Sequence, residues 1–187
     1  MTYFKYTLLA IAAISLLVFS CEKDDICAEA TSTTPRVIIT FYDVNNPDDL
    51  KEVDALSIQG IDADGTVLEE LVEDSTTSLL YATLDSIALP LNFNEEGITA
   101  ASRFRITKNT DYDSDEDDTT SSNSDVIEIT YTPEFIYVSR ACGYKAIFEG
   151  TEVDRIEQDD DDLWIINVTT ENTTIENEDE AHIYIYH

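Results

Sequence analysis

Positive charge is scarce in this chain of 187 residues, which has 10 Lys and Arg residues against 40 Asp and Glu residues. The formal net charge at pH 7 is −30. Because the surplus carboxylates repel phosphates, so few cations cannot hold a nucleic-acid backbone, and nucleic-acid binding is excluded. Adsorption to an anionic membrane through a basic patch is excluded for the same reason.

Residues that many catalytic and metal sites require are also few. The five glycines are scattered and form no phosphate-binding loop, and the G-x-S-x-G nucleophile motif is absent. The two histidines, His182 and His187, are five residues apart, which places them on opposite faces of a regular strand. We therefore predict no cofactor and no enzymatic activity. A hydrolase that uses two of the many carboxylates remains as the enzymatic alternative.

Hydrophobic residues make up 43% of the chain, enough for one folded domain, and an uncharged run of them lies near the N-terminus. This run, residues 7–19, has the length of a signal peptide and is short for a membrane-spanning helix. It ends at residues 18–21 (VFSC), which resemble the lipobox of bacterial lipoproteins, where diacylglycerol is attached to the cysteine. We predict that residues 1–20 are a lipoprotein signal peptide and that Cys21 carries the lipid. Ordinary secretion, with Cys21 in a disulfide, is the alternative.

The residues directly after Cys21 are charged. Lys23, Asp24 and Asp25 resemble the tag that sends lipoproteins of Bacteroidota to the cell surface. This resemblance implies an outer-membrane anchor that faces the exterior, whereas a solvated acidic tether is the simpler interpretation. In either case we predict that residues 21–35 form a flexible, lipidated tether.

Two further cysteines remain, Cys27 and Cys142. An even number of cysteines in an oxidising compartment predicts one disulfide, which would tie the tether to a late strand. Two unpaired thiols, a metal ligand and a cysteine nucleophile are the alternatives.

From residue 36 onward the hydrophobic pattern has a period of two, which is typical of β-strands. Asp64-Gly65 predicts a hairpin turn, and residues 46–56 could begin with one helical turn. We predict a single all-β domain over residues 36–187, an antiparallel β-sandwich that is Ig-like or similar. The predicted strands cover residues 36–43, 57–61, 66–72, 79–84, 86–93, 102–107, 126–132, 135–138, 144–148, 163–169 and 181–186.

An acidic insert lies near residues 109–124. Its Asp111, Asp113 and Asp115 have the alternate spacing of a calcium loop, but the glycine and the final glutamate of an EF-hand are missing. We interpret the insert as a solvated loop. The alternative is weak calcium binding, as in a calcium-assisted adhesion or glycan-binding module.

The few basic residues of the predicted domain form two groups. Arg103 and Arg105 share one strand face, and Arg140 and Lys145 flank Cys142. We expect these side chains to pair with the surplus carboxylates on exposed sheet faces. An anion-binding patch is the alternative.

Several stretches carry a family resemblance, namely residues 21–27, 34–42, 85–91, 137–145, 175–178 and 181–187. They resemble an uncharacterised family, a domain of unknown function, of small Bacteroidota lipoproteins. The resemblance implies a one-domain, β-rich lipoprotein and carries over no catalytic residue. The prediction is a non-enzymatic module, anchored by lipid in the outer membrane and facing the exterior, that binds a protein or glycan partner.

Overall fold

The computed structural model describes residue 27 and residues 34–68, 78–93, 95–110, 122–156 and 162–187. The chain divides into a larger unit, Ser32–Ile136 with Lys145–His187, and a smaller unit, Met1–Thr31 with Tyr137–Tyr144. No helix occurs in the described ranges. Accordingly, none of the described residues belongs to a helix that is long and apolar enough to cross a membrane.

Ten strands are formed by the described residues, and most of them contain the β-branched and aromatic residues that favour a half-buried, pleated surface. In chain order they are β1 (Val37–Asp43), β2 (Asn46–Leu50), β3 (Val53–Ile61), β4 (Ser78–Leu84), β5 (Ser86–Leu89), β6 (Ala100–Lys108), β7 (Asn123–Ser139), β8 (Gly143–Ile156), β9 (Asn167–Thr170) and β10 (Ile183–Tyr186).

The first sheet has the strand order β2-β1-β10-β9, with β5 also paired to β1. Strand β10 runs parallel to β1, and Phe41 lies opposite Ile185. The other pairings in this sheet are antiparallel. The sandwich therefore contains one parallel pair, which is permitted because no short turn connects the first strand to the last.

The second sheet has the order β4-β3-β6-β7-β8, and its central pairings are antiparallel. Apolar side chains from both sheets form one core, in which Phe41 and Ile185 of the first sheet join Ile106 and Ile129 of the second. The predicted all-β sandwich is thus confirmed. Its two layers follow from the alternation along each strand, which directs every second side chain to the core.

A buried carboxylate organises the segment that precedes β9. Asp125, at the start of β7, is completely buried, and its Oδ2 accepts hydrogen bonds from the backbone N–H groups of Trp164, at 3.0 Å, and Ile165, at 2.6 Å. These bonds satisfy two buried donors that no strand pairing reaches. Trp164 and Ile165, which the sequence predicts to be part of a strand, are therefore held by a side chain instead, whereas the Ile166 N–H donates to the Tyr186 carbonyl at 2.9 Å.

Three other local predictions were wrong. Residues 46–50 form edge strand β2 rather than a helical turn, because Leu50 pairs with Tyr42 of β1. Strand β5 ends at Leu89, since Pro90 lacks the N–H group that would continue the ladder. The strands predicted over residues 126–132 and 135–138 merge into β7.

Candidate binding site

Arg103 and Arg105 lie two residues apart on β6, and both contact the turn that follows β3. The Arg103 Nε lies 2.5 Å from Glu128 Oε2, and its Nη1 donates to the Ala63 carbonyl at 2.7 Å. Arg105 Nη2 donates to the Gly65 carbonyl at 3.2 Å. The structure thus brings these two predicted residues together, with their guanidinium groups bound to acceptors of the fold.

The other two basic residues lie elsewhere in the chain. Lys145 Nζ donates to the Glu176 carbonyl at 3.0 Å. Arg140 is exposed in the turn between β7 and β8, within the smaller unit. Of the four residues of the anion-patch alternative, Arg103 lines the groove described below, and Arg105 contacts the turn beside it.

The turn between Asp62 and Thr66 is held by its first carboxylate. Asp62 Oδ1 accepts the backbone N–H groups of Asp64, at 2.9 Å, and Thr66, at 2.8 Å. Gly65 has a φ of 81°, a conformation that glycine adopts without a steric cost. The Asp-Gly pair thus forms the turn expected from the sequence, and the Asp62 carboxylate stabilises its backbone.

A groove of about 480 Å³ opens beside this turn, entirely within the larger unit. Its apolar lining combines buried side chains, such as Phe104, with Leu68, which is 62% exposed. The Arg103–Glu128 ion pair supplies the main charged groups. The lining includes Ile61, Leu68, Pro90, Leu91, Arg103 and Glu128.

One wall of the groove, residues 90–92, is fixed by a buried hydrogen-bond network. The Tyr131 hydroxyl donates to the Asn92 carbonyl and lies 2.6 Å from Ser102 Oγ. Ser102 Oγ in turn accepts the Asn92 N–H at 3.1 Å. Burial raises the pKa of Tyr131, so its hydroxyl stays protonated and remains a donor. This network could not be predicted from the sequence, because its members are separated by 10 to 39 residues.

Several predicted site residues lie outside the described residues. They are the lipidation residue Cys21, the export-tag residues Lys23, Asp24 and Asp25, and the calcium candidates Asp111, Asp113 and Asp115. The interpretation of the acidic insert as a solvated loop therefore stays a prediction, as does its alternative of weak calcium binding. Among the residues that are described, no three His, Cys, Asp or Glu side chains are grouped so that they could hold a metal ion.

Both histidines are used by the fold. His182 is 2% exposed, and its Nδ1 accepts the Ile38 N–H at 2.9 Å. The His187 ring packs edge-on against Phe41 and Trp164, with centroid distances of 6.1 and 5.5 Å. Burial lowers the pKa of both imidazoles, which favours the neutral form that His182 needs as an acceptor.

The smaller unit contains a disulfide between Cys27 and Cys142, whose Cα atoms are 4.8 Å apart. Cys142 lies in the turn between β7 and β8, where its N–H donates to Ser139 Oγ at 3.0 Å. Gly143 follows with a φ of 71°. The bond therefore fixes Cys27 to this turn across 115 residues of sequence.

Residues 55–187 match DUF6452, a family of unknown function. The chain belongs to this family. The DUF6452 match includes Cys142 and every residue of the groove, and it begins after β1 and β2. A search of curated proteins and a search of solved structures gave no match.

Proposed function

We propose that the protein is a lipid-anchored lipoprotein of the cell envelope, exposed at the cell surface, that acts as a non-enzymatic binding module. The observation that carries the binding role is the groove beside the Asp62–Thr66 turn. Its volume and its apolar lining with a single ion pair have the character of ligand sites in proteins. The anchoring role rests on the signal-like residues 1–20, Cys21 and the export-tag residues.

The charges at the groove indicate what it accepts. Arg103 and Glu128 neutralise each other, and the Asp62 carboxylate is bound to backbone N–H groups. Among the described residues that line the groove, no unpaired cationic group is left to attract an anion, and the surplus of carboxylates in the chain repels one. The groove therefore suits an apolar side chain presented by a partner protein, with the ion pair at its side.

The same contacts support a non-enzymatic role. A hydrolase that uses two carboxylates needs one that protonates a leaving group and another that acts as base or nucleophile. At this groove, Glu128 is engaged by Arg103, and Asp62 holds its own turn. Both carboxylates are occupied by structural contacts, which favours binding over catalysis.

Site-specific photo-crosslinking in intact cells tests the binding role. A photoreactive residue at position 68 should give a discrete crosslinked product, because Leu68 is exposed at the groove. The matched control is position 98, because Ile98 has a similar exposure of 59% and does not line the groove. Products of equal yield at both positions would contradict a groove-specific partner.

Metabolic labelling with a fatty acid tests the anchor. The parent protein should incorporate the label, and a Cys21→Ala variant should not, because the thiol that receives the lipid is removed. Protease treatment of intact cells should then degrade the parent protein. Label in the variant would contradict the anchor, and protection from the protease would contradict surface exposure.

A second candidate function, binding of a neutral glycan, is favoured by three neighbouring, half-buried tyrosines on the first sheet. Tyr42 lies 4.8 Å from Tyr184 and 5.8 Å from Tyr186 between ring centroids, and Leu50 pairs with Tyr42 on the neighbouring strand. Three tyrosines and one leucine therefore lie close together on this sheet. Tyrosine rings offer an apolar face and a hydroxyl group together, which matches a sugar ring. Titration with neutral oligosaccharides, comparing the parent with Tyr186→Ala, tests this function.

A further inference from the structure

Two tyrosines at the end of the β7–β8 hairpin are strongly exposed. Tyr137 is 57% exposed and Tyr144 is 69% exposed, and their rings pack edge-to-face with centroids 5.4 Å apart. Both belong to the smaller unit, together with the turn that contains Arg140. Exposed apolar side chains that lie together, rather than scattered singly, are typical of interaction sites.

The composition of this hairpin end differs from the rest of the chain. Residues 137–144 (YVSRACGY) contain no acidic residue and one arginine, although the whole chain carries 40 Asp and Glu residues. We call residues 137–144 the hairpin end. Its charge is +1 in a protein of net charge −30, so it can approach phosphate headgroups that repel acidic segments.

The disulfide determines where the hairpin end can lie. Cys142, within it, is bonded to Cys27, which follows Cys21 by six residues. Six residues span at most about 20 Å when fully extended. If Cys21 is lipidated, as proposed above, Cys142 of the hairpin end is therefore held within about 25 Å of the membrane surface, because the Cα atoms of the disulfide are a further 4.8 Å apart.

We propose that the hairpin end docks on the lipid bilayer, with the rings of Tyr137 and Tyr144 at the level of the headgroups. Tyrosine is enriched at this level of membranes because its ring is apolar and its hydroxyl remains hydrated. Arg140, between the two tyrosines in sequence, can reach lipid phosphates with its long side chain. The proposal rests on the proposed lipidation of Cys21. Because the disulfide links Cys27 to the hairpin end, the lipid anchor and the hairpin end attach to the membrane side by side.

Hydrogen exchange measured by mass spectrometry tests the docking. The lipidated protein, purified from membranes, is placed in phosphatidylcholine vesicles and compared with the unlipidated Cys21→Ser protein alone. We expect amides 139–143 to exchange several-fold more slowly in the vesicle-bound protein, because docking excludes water from the turn. Exchange of residues 46–50, in the exposed edge strand β2, should be the same in both.

A double variant, Tyr137→Ser with Tyr144→Ser, should remain in the vesicles but lose this protection. The matched control is Ile98→Ser, which removes a hydrophobic side chain of similar exposure that lies outside both the hairpin end and the groove, and it should keep the protection. Equal exchange of amides 139–143 in vesicle-bound and unlipidated parent protein would overturn the proposal. Full protection in the double variant would also overturn it.

The outcomes separate docking from anchoring. If intact mass shows no acyl group on Cys21, the proposed anchor fails and the docking proposal fails with it. If Cys21 is acylated but the hairpin end is unprotected, only the docking proposal fails. Protection that appears in native membranes but not in pure lipid vesicles indicates a protein partner, and it would likewise overturn bilayer docking.

Discussion

Tyr131 and Tyr137 lie on the same strand, β7, but their environments are opposite. Tyr131 is 1% exposed, and its hydroxyl is bound by Ser102 and Asn92. Tyr137 is 57% exposed, and its ring packs edge-to-face against Tyr144. The residues are six positions apart, so alternation alone predicts the same face for both. Alternation along the strand therefore predicts which face a side chain occupies. Whether that face is buried depends on the other sheet that packs against it.

The strongest test of this comparison removes each ring. Tyr131→Ala should lower the free energy of unfolding by about 3 kcal/mol or more, because it leaves a cavity in the core and removes two buried hydrogen bonds. Tyr137→Ala should change it by about 0.5 kcal/mol or less. Denaturant unfolding of both variants measures the difference. Similar losses would show that the exposed end of β7 contributes to the fold as much as the buried part does.

Removal of the disulfide tests how much the bond between Cys27 and the hairpin end contributes to the free energy of unfolding. Replacing Cys27 and Cys142 together by alanine should lower the free energy of unfolding by about 2–4 kcal/mol, since the bond closes a loop of 115 residues. Denaturant unfolding measures the loss, with Cys21→Ala as the control that leaves the bond intact. An unchanged midpoint in the double variant would show that the disulfide does not contribute to stability.

A smaller change isolates the hydroxyl of Tyr131. Tyr131→Phe keeps the ring but leaves the Asn92 carbonyl without its donor, so we expect a loss of about 1 kcal/mol. Tyr137→Phe should cause no measurable loss. Thermal unfolding of the two variants gives the comparison. If Tyr131→Phe also weakens crosslinking from position 68, the network that fixes residues 90–92 controls the shape of the groove.

The smallest expected effect is a pH dependence of stability caused by His182, the buried residue directly before β10. Because burial lowers the pKa of His182, the unfolded chain binds a proton near pH 6.5 that the folded protein does not bind. Stability should therefore be highest above about pH 6.5 and should fall as the pH decreases below it. His182→Gln keeps an acceptor for the Ile38 N–H without titrating, so its stability should fall less between pH 7.5 and 5.5. An equal decline in both proteins would exclude His182 as the cause.

The layers of the fold could be predicted because alternation is a local property. Residues 102–107 and 126–132 alternate clearly, and each lies within a strand of the structure. The Asp64-Gly65 turn was equally predictable, since the Asp-Gly dipeptide by itself favours the backbone conformation of a hairpin turn. The groove was not predictable, because its walls come from four separate segments of the chain that only the paired strands bring together.

Amino-acid sequence by itself determined the net charge, the alternation that makes the protein all-β, and the pair of cysteines available for a disulfide. Tertiary structure decided the parallel pairing of β1 with β10, the burial of Asp125 and Tyr131, and the exposure of Tyr137 and Tyr144. The physical reason is that charge and alternation depend on a residue and its neighbours in sequence. Pairing direction and burial depend on which distant segments meet, and their free energy exists only once those segments are in contact.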